Sequence, residues 1–363
     1  MRTRDRLLRN RFSFRLGWIR TAVVMAAVLS LVAAACTSDE QNATATATGA
    51  ESTTTAQTPS TTSPSATEQT VQDPAAATTY EQVMVLGDDD GVEFRGPNHL
   101  ALDAEGNLYV TEFFGGRVFV FSPTGDFLDQ FTGAGDGVGE LSGPTGIAVD
   151  ANGDVYVGES GTSRVQKFNS DGDPIAVWGG PGVGPGEFGS AMGVGINEEL
   201  GRVYAADYGN SRIHVYTPDG ELLFMFPRGG DSTQIGDEPD QMFLPIGVDI
   251  AGDGTVYVVD SGNNRVQKFT PDGEIIEVLS PLPILAPQVI SVDDDGSYWL
   301  SGPTDRVVAH FSATGELLGT LVPPEGGFTM PHGTETMPDG TVWLADTGNG
   351  VVRAYRISDS PQG

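Results

Sequence analysis

The sequence predicts an all-β protein built as a six-bladed β-propeller, and three observations carry that expectation. Between residues 80 and 358 a unit of four short strands recurs six times at intervals of roughly 40–50 residues, the arithmetic of propeller blades, each of which needs a neighbour on either face to bury its sheet. Every unit carries one aromatic residue at an equivalent place in its second strand: Tyr109, Tyr156, Tyr204, Tyr257, Trp299 and Trp343. Glycine supplies 49 of the 363 residues while charged residues make up only 19%, a balance that favours turn-rich β structure over long solvated helices.

Taken in order, the chain opens with seven arginines in residues 1–20 and an uncharged, mostly apolar run over 21–35. Fifteen residues are too few to cross a hydrocarbon core about 30 Å thick, so the segment is expected to be a signal peptide (1–35) rather than a membrane helix. It ends Leu31-Val32-Ala33-Ala34-Ala35-Cys36, which resembles the lipobox of bacterial lipoproteins. That resemblance implies lipidation of Cys36 and a protein anchored on the extracytoplasmic face of the cell membrane. Residues 36–79, dominated by Thr, Ser, Ala and Pro, cannot bury enough apolar surface to fold and are expected to form a disordered tether with a reach of about 36 Å.

The propeller is expected over 80–358, with a short tail at 359–363. Each unit begins at Pro97, Pro144, Ala191, Pro245, Pro287 or Pro331 with a first strand, turns (at Gly106, Gly153, Gly254 and Gly340 in four of them), and enters the aromatic-bearing strand. Third strands such as Arg164-Val165-Gln166-Lys167-Phe168 follow, then turns such as Thr270 to Gly273, then a fourth strand. The last unit stops after its third strand, near Arg356. Gln82-Val83-Met84-Val85-Leu86 has the character of the missing fourth strand, so the amino-terminal strand is expected to complete the last blade and close the ring.

These repeats resemble the NHL-repeat family of six-bladed propellers, most fully in Val256-Tyr257-Val258-Val259-Asp260-Ser261-Gly262-Asn263-Asn264-Arg265-Val266-Gln267-Lys268-Phe269. The fifth unit departs most, with Gly302 in place of the acid and Val307 in place of the arginine. The fold hosts sensors, adaptors, lactonases and lyases, so the resemblance implies architecture rather than activity.

A net charge of −30 disfavours nucleic acid and anionic lipid surfaces, and a single cysteine excludes a disulfide scaffold. No nucleophile elbow, phosphate-binding loop or Cys/His metal cluster occurs. Loops between blades share one face with the starts of the first strands. The longest, Pro227 to Met242, is either a lid or recognition element or an ordinary insertion. At the mouth of the first strands the ring reads Asn98, Thr145, Met192, Ile246, Gln288, His332, so Gln288, His332 and Asn98 form a polar sector. Further along, a position normally held by a small residue carries Asp249 and Glu335, two carboxylates whose desolvation calls for a cation or a buried ionic network. The acids ending the second strands (Glu112, Glu159, Asp207, Asp260, Asp346) follow the repeat and are expected to be structural, as is the strand-pair turn with Asp150, Asn152 and Asp154, which resembles the opening of a calcium loop but lacks its distal glutamate. His214 and His310, on third strands, are expected at the surface.

Two functions follow as expectations. The first is a monomeric, lipid-anchored binding, sensor or scaffold propeller that engages a protein, peptide or glycan. The alternative is a metal-dependent lactonase or lyase centred on His332, Glu335, Asp249 and Asn98, with a calcium or zinc ion in the central channel. Met330-Pro331-His332-Gly333 resembles the Pro-His motifs of peptidyl-amidoglycolate lyases, which place zinc ligands from three blades, but Thr145, Ile246 and Gln288 stand at the equivalent positions. Pro97-Asn98 matches one metal-ligand element of gluconolactonase-like propellers.

Overall fold

The computed structural model describes residues 78–87, 91–227 and 236–357. The expected signal peptide, Cys36, nearly all of the expected tether and the tail lie outside the described residues, as does the middle of the 227–242 loop.

The chain is a β-propeller. Four antiparallel sheets each take four consecutive strands in chain order. They are β2 (Pro97–Leu102), β3 (Leu108–Glu112), β4 (Arg117–Phe121) and β5 (Phe127–Phe131); then β6 (Pro144–Val149), β7 (Val155–Glu159), β8 (Arg164–Phe168) and β9 (Pro174–Gly179). Next come β10 (Ala191–Asn197), β11 (Arg202–Asp207), β12 (Arg212–Tyr216) and β13 (Leu222–Phe226), followed by β14 (Pro245–Ile250), β15 (Val256–Asp260), β16 (Arg265–Phe269) and β17 (Ile275–Leu279). The remaining strands are β1 (Thr78–Leu86), β18 (Val289–Val292), β19 (Tyr298–Gly302), β20 (Val307–Phe311), β21 (Leu317–Leu321), β22 (Pro331–Thr336), β23 (Val342–Asp346) and β24 (Val351–Ile357). They form one sheet in the order β18-β19-β20-β21-β1-β24-β23-β22.

The first strands β2, β6, β10, β14, β18 and β22 pack against one another in turn, and β22 returns to β2. Glycine makes this approach possible. A Cβ on Gly146 would stand 2.5 Å from Met192 O, and one on Gly333 2.7 Å from His99 Cα, so these positions admit no side chain without moving a neighbouring backbone. The recurring aromatics explain the recurring small residues, because they face each other across the first two strands: Ala101 opposite Tyr109, Ala148 opposite Tyr156, Gly195 opposite Tyr204. Asp249 and Glu335 stand opposite Tyr257 and Trp343 at the same register.

The acids that end the second strands are fully buried, and each is paired with an arginine: Arg117–Glu112 at 2.7 Å, Arg164–Glu159 at 2.6 Å, Arg212–Asp207 at 3.0 Å, Arg265–Asp260 at 2.8 Å and Arg353–Asp346 at 2.9 Å. Each acid also accepts a backbone N–H from the loop entering its own blade, as from Ser142 (2.8 Å), Gly189 (2.8 Å) and Phe243 (2.7 Å). Buried charge that is paired and hydrogen-bonded in this way fixes loops rather than offering itself to a ligand. The same clamp holds the described end of the long loop, since Arg265 donates to the carbonyls of Asp237, Glu238 and Gln241. In the turn from Asp150 to Asp154 the cation is internal: Lys167 Nζ lies 2.7 Å from Asp154 and 3.9 Å from Asp150.

The amino-terminal strand supplies the outer strand beside β24, pairing antiparallel from Tyr80↔Ile357 to Leu86↔Val352. It starts at Thr78, slightly before the expected domain boundary, and its first three residues also pair parallel with β21 from Gly319 to Leu321, which fuses two blades into one sheet. Tyr80 and Leu86 are buried in different core clusters, one with Trp299 and Tyr355, the other with Phe94, Phe121 and Trp343.

Two expectations about histidine are corrected. His214 is fully buried between blades, stacked on Phe188 at 4.4 Å, with Nδ1 2.8 Å from Tyr216 OH. It occupies the place that Gln166 and Gln267 hold in other blades, beside the buried acid Asp207. His310 is mostly covered as well: its ring stacks on Trp299 at 4.5 Å, and Tyr80 of the closing strand reaches its Nδ1 at 3.0 Å. The third strand is covered by the next blade or by β1, so one of its faces is interior.

Candidate functional site

A pocket opens at the face where the first strands begin. Its walls divide chemically. Asn98, His99, Gln288 and His332 supply a polar sector, and Phe113, Met192, Ile246 and Val289 an apolar one. Among the described residues no carboxylate, lysine or arginine lines it, although the chain as a whole is strongly acidic.

The expected polar sector of Asn98, Gln288 and His332 is therefore assembled. Strand geometry adds His99, the residue after Asn98. β2 carries a register shift between Pro97 and Leu100, and β22 one between Pro331 and Thr334, so strict alternation fails at the mouth and two consecutive residues reach the pocket. Gly146, Gly193, Gly247 and Gly333 hold the second of these positions in four blades, and His99 holds it in the first. A histidine at a ring position given to glycine in four of the other blades, and to Val289 in the fifth, was the signal that could have found it.

Both imidazoles are buried and neutral. Burial pushes His332 down to about 4 against a weaker opposing effect of the Met330 carbonyl, with His99 lowering it further. His99 is likewise lowered to about 4 by burial, opposed by the Leu100 carbonyl. His332 Nδ1 lies 3.0 Å from Met330 O and 2.8 Å from Thr347 Oγ1, and its Nε2 lies 3.1 Å from the Gln288 side-chain amide. Three strands thus hold one ring: β22 carries it, β23 ends beside Thr347, and β18 begins beside Gln288. A neutral imidazole in a largely apolar pocket can accept a proton from a bound ligand at any pH above about 4.

Asp249 and Glu335 are not part of this pocket. Glu335 is three residues beyond His332 along β22, roughly 10 Å at strand rise. Both carboxylates keep partial access to solvent-sized space yet are densely surrounded by protein, as expected for the wall of a narrow central channel. Asp249 accepts the backbone N–H groups of Ile250 (2.8 Å) and Val292 (2.7 Å). Even so, burial raises it to about 7, and burial together with the charges of Asp249 and Asp293 raises Glu335 well above the carboxylate range.

The sign of the consequence is fixed. A carboxyl whose pKa is raised by folding binds its proton more tightly in the native state, so stability is greatest near pH 4 and declines as pH rises through about 7. For Asp249 the loss is on the order of 3 kcal/mol. The melting temperature is expected to be higher at pH 5 than at pH 8, and Glu335→Gln should raise the value at pH 8 by about 5 °C. A melting temperature independent of pH over that range would contradict the buried pair.

The donor set speaks against a metal at the pocket. Calcium takes anionic and carbonyl oxygens and zinc needs three protein ligands, whereas the pocket offers two imidazoles and neutral amides. Among the described residues no group of three or more His, Cys, Asp or Glu is arranged to hold an ion, in the channel or elsewhere.

Comparison with known proteins adds a family. The pattern of the virginiamycin B lyase family matches residues 91–354, from the entry of the first blade to the third strand of the last. The chain belongs to that family. A catalytically inactive virginiamycin B lyase from Staphylococcus aureus, solved with quinupristin, superposes with a TM-score of 0.52 at 17% identity over 74% of this chain and 83% of that one. A gluconolactonase from Xanthomonas campestris gives 0.55 at 17% identity over 73% and 87%. At such identities the likeness is one of fold. Peptidyl-glycine alpha-amidating monooxygenase A of Xenopus laevis is 27% identical over 166 residues, 42% of this chain but only 17% of that protein. This member of the virginiamycin B lyase family thus shares its propeller with relatives named for enzymes, and they lend no support to the binding or sensor expectation.

Proposed function

We propose that this six-bladed member of the family is a lyase that opens an uncharged, largely apolar ester by elimination, with His332 as the base. The observation that carries the reading is a neutral imidazole held from both sides in a pocket to which the described residues contribute no charged side chain. His332 removes a proton from the carbon beside a carbonyl, a carbon–carbon double bond forms, the carbon–oxygen bond breaks, and the electron pair leaves on a carboxylate. A carboxylate leaves without being protonated, so the absence of an acid from the pocket lining suits an ester. Apolar parts of the ligand would rest on Met192, Ile246 and Phe113, while Asn98 offers an amide to its carbonyl groups. A charged ligand would lose hydration there without gaining a partner. That the inactive Staphylococcus aureus enzyme is a histidine-to-alanine variant supports giving the base to a histidine.

We place the protein on the extracytoplasmic face, anchored through Cys36 as a monomer. β1 enters beside the end of β24 and runs towards the pocket side, so a tether would reach the propeller from the opposite face and leave the mouth clear. Incubation with virginiamycin B, quinupristin and simple lactones tests the activity. Consumption of at least one is expected, and stability of all of them would remove the reading.

A further inference from the structure

We propose that His99 is a specificity-determining residue of this pocket: its bare Nε2 accepts a hydrogen bond from the ligand, so the preferred ligand carries an uncharged donor, an amide N–H or a hydroxyl. The inference rests on the pocket being the ligand site proposed above and is independent of the reaction carried out there.

The partner of Nδ1 decides which nitrogen of His99 carries the proton. Nδ1 lies 3.3 Å from Leu100 O, and a carbonyl only accepts, so the hydrogen sits on Nδ1 and Nε2 is a bare lone pair. Burial keeps the ring neutral, which leaves that lone pair available above about pH 4. The three hydroxyls lining the pocket are committed elsewhere. Ser160 Oγ donates to Gly143 O at 2.9 Å, Ser190 Oγ to Met192 Sδ at 3.6 Å, and Thr145 Oγ1 to carbonyls of neighbouring strands, Gly158 O at 3.2 Å among them. The Gln288 amide is engaged with His332. Among the described residues none donates to Nε2 of His99, yet that atom is not sealed inside protein although the residue is only 9% exposed, and the space beside it is the pocket.

The ring is also preorganised. The His99 backbone N–H donates to Thr111 Oγ1 at 2.9 Å, and that hydroxyl reaches Thr145 O of the next blade at 3.1 Å, which holds the irregular stretch of β2 that turns His99 inward. A ligand that fills the pocket without a donor strands this acceptor in a wall shared with Phe113, Met192 and Ile246, whereas a ligand with a donor pairs it, and buried acceptors discriminate on that difference. An ammonium would donate as well, but no described carboxylate lines the pocket to balance its charge.

Two matched pairs of neutral probes, none of them an ester, test this by binding alone in NMR titrations of the ¹⁵N-labelled protein. δ-Valerolactam loses its N–H in the N-methyl derivative, and cyclohexanol loses its O–H in the methyl ether. In at least one pair the donor-bearing member is expected to bind about tenfold more tightly and to shift the unprotonated Nε2 signal of His99, and the pair that responds tells N–H from O–H. His99→Leu, close in size but without the lone pair, should erase the preference. A wild-type His99 protonated on Nε2, equal affinities within both pairs, or a preference that persists in His99→Leu and therefore reflects bulk, overturns the proposal. If the preference is found but no ester is consumed, recognition by His99 stands and the lyase reading falls; if esters are consumed without any preference, the reverse holds.

Discussion

His332→Ala is expected to lower turnover of the ester by about 10²- to 10⁴-fold, the range that a positioned general base contributes. The effect should fall on kcat, because the ligand's apolar contacts with Met192, Ile246 and Phe113 remain. Adding imidazole to the variant should restore part of the rate, since the substitution vacates a buried volume at the mouth of the pocket. His99→Ala provides the internal comparison. It removes the other neutral imidazole from the same pocket, but one whose Nδ1 meets only the carbonyl of the next residue, Leu100, at 3.3 Å, without the two-sided hold that His332 has. Steady-state kinetics of the two variants decides the assignment: if His99→Ala loses the rate and His332→Ala keeps it to within about tenfold, the base has been placed on the wrong ring.

Deleting residues 78–87 is expected to abolish cooperative unfolding of the propeller. Without β1 the third strand of the last blade becomes an open edge, and the cores on either side lose Tyr80 and Leu86, both nearly fully buried. Two such losses are worth about 5 kcal/mol together, comparable to the whole stability of many domains, before the unpaired ladder and the contact between Arg353 and Gln82 are considered. The exposed edge should also drive aggregation. Removing 44–69 instead should leave the melting transition unchanged. Differential scanning calorimetry of both deletions reads the contrast directly, and equal transitions would show that the ring closes some other way.

The architecture was legible in the sequence because propeller blades repeat. A proline or alanine opening each first strand, an aromatic in the second, and an acid and arginine five residues apart in four of the blades each have one physical job per blade, so the period announces the fold. The closing strand was legible for a related reason, since the last unit lacked what the first residues supplied. What the pattern hid were departures from alternation. His99 reached the pocket through a bulge, and Thr347 reached the His332 ring by following the second-strand acid, where Phe113, Ser160 and Tyr208 stand in other blades. Asp249 and Glu335 were picked out correctly as breaking a rule, but the rule concerned the aromatic across the strand pair, and strand rise carries them away from His332 to a separate level of the channel. His214 and His310 were misjudged because covering by a neighbouring blade, or by β1, is invisible along one strand.

The central claim is that the pocket around His332 breaks an ester by elimination, and the mass of the product tests it most directly. Ring opening by elimination moves a proton and an electron pair but adds nothing, so the opened product of a cyclic ester should have the mass of its precursor and a new carbon–carbon double bond. The same reaction in isotopically labelled water should leave the carboxylate oxygens unlabelled. A product heavier by one water, carrying the label in its carboxylate, would mean hydrolysis and would contradict the account.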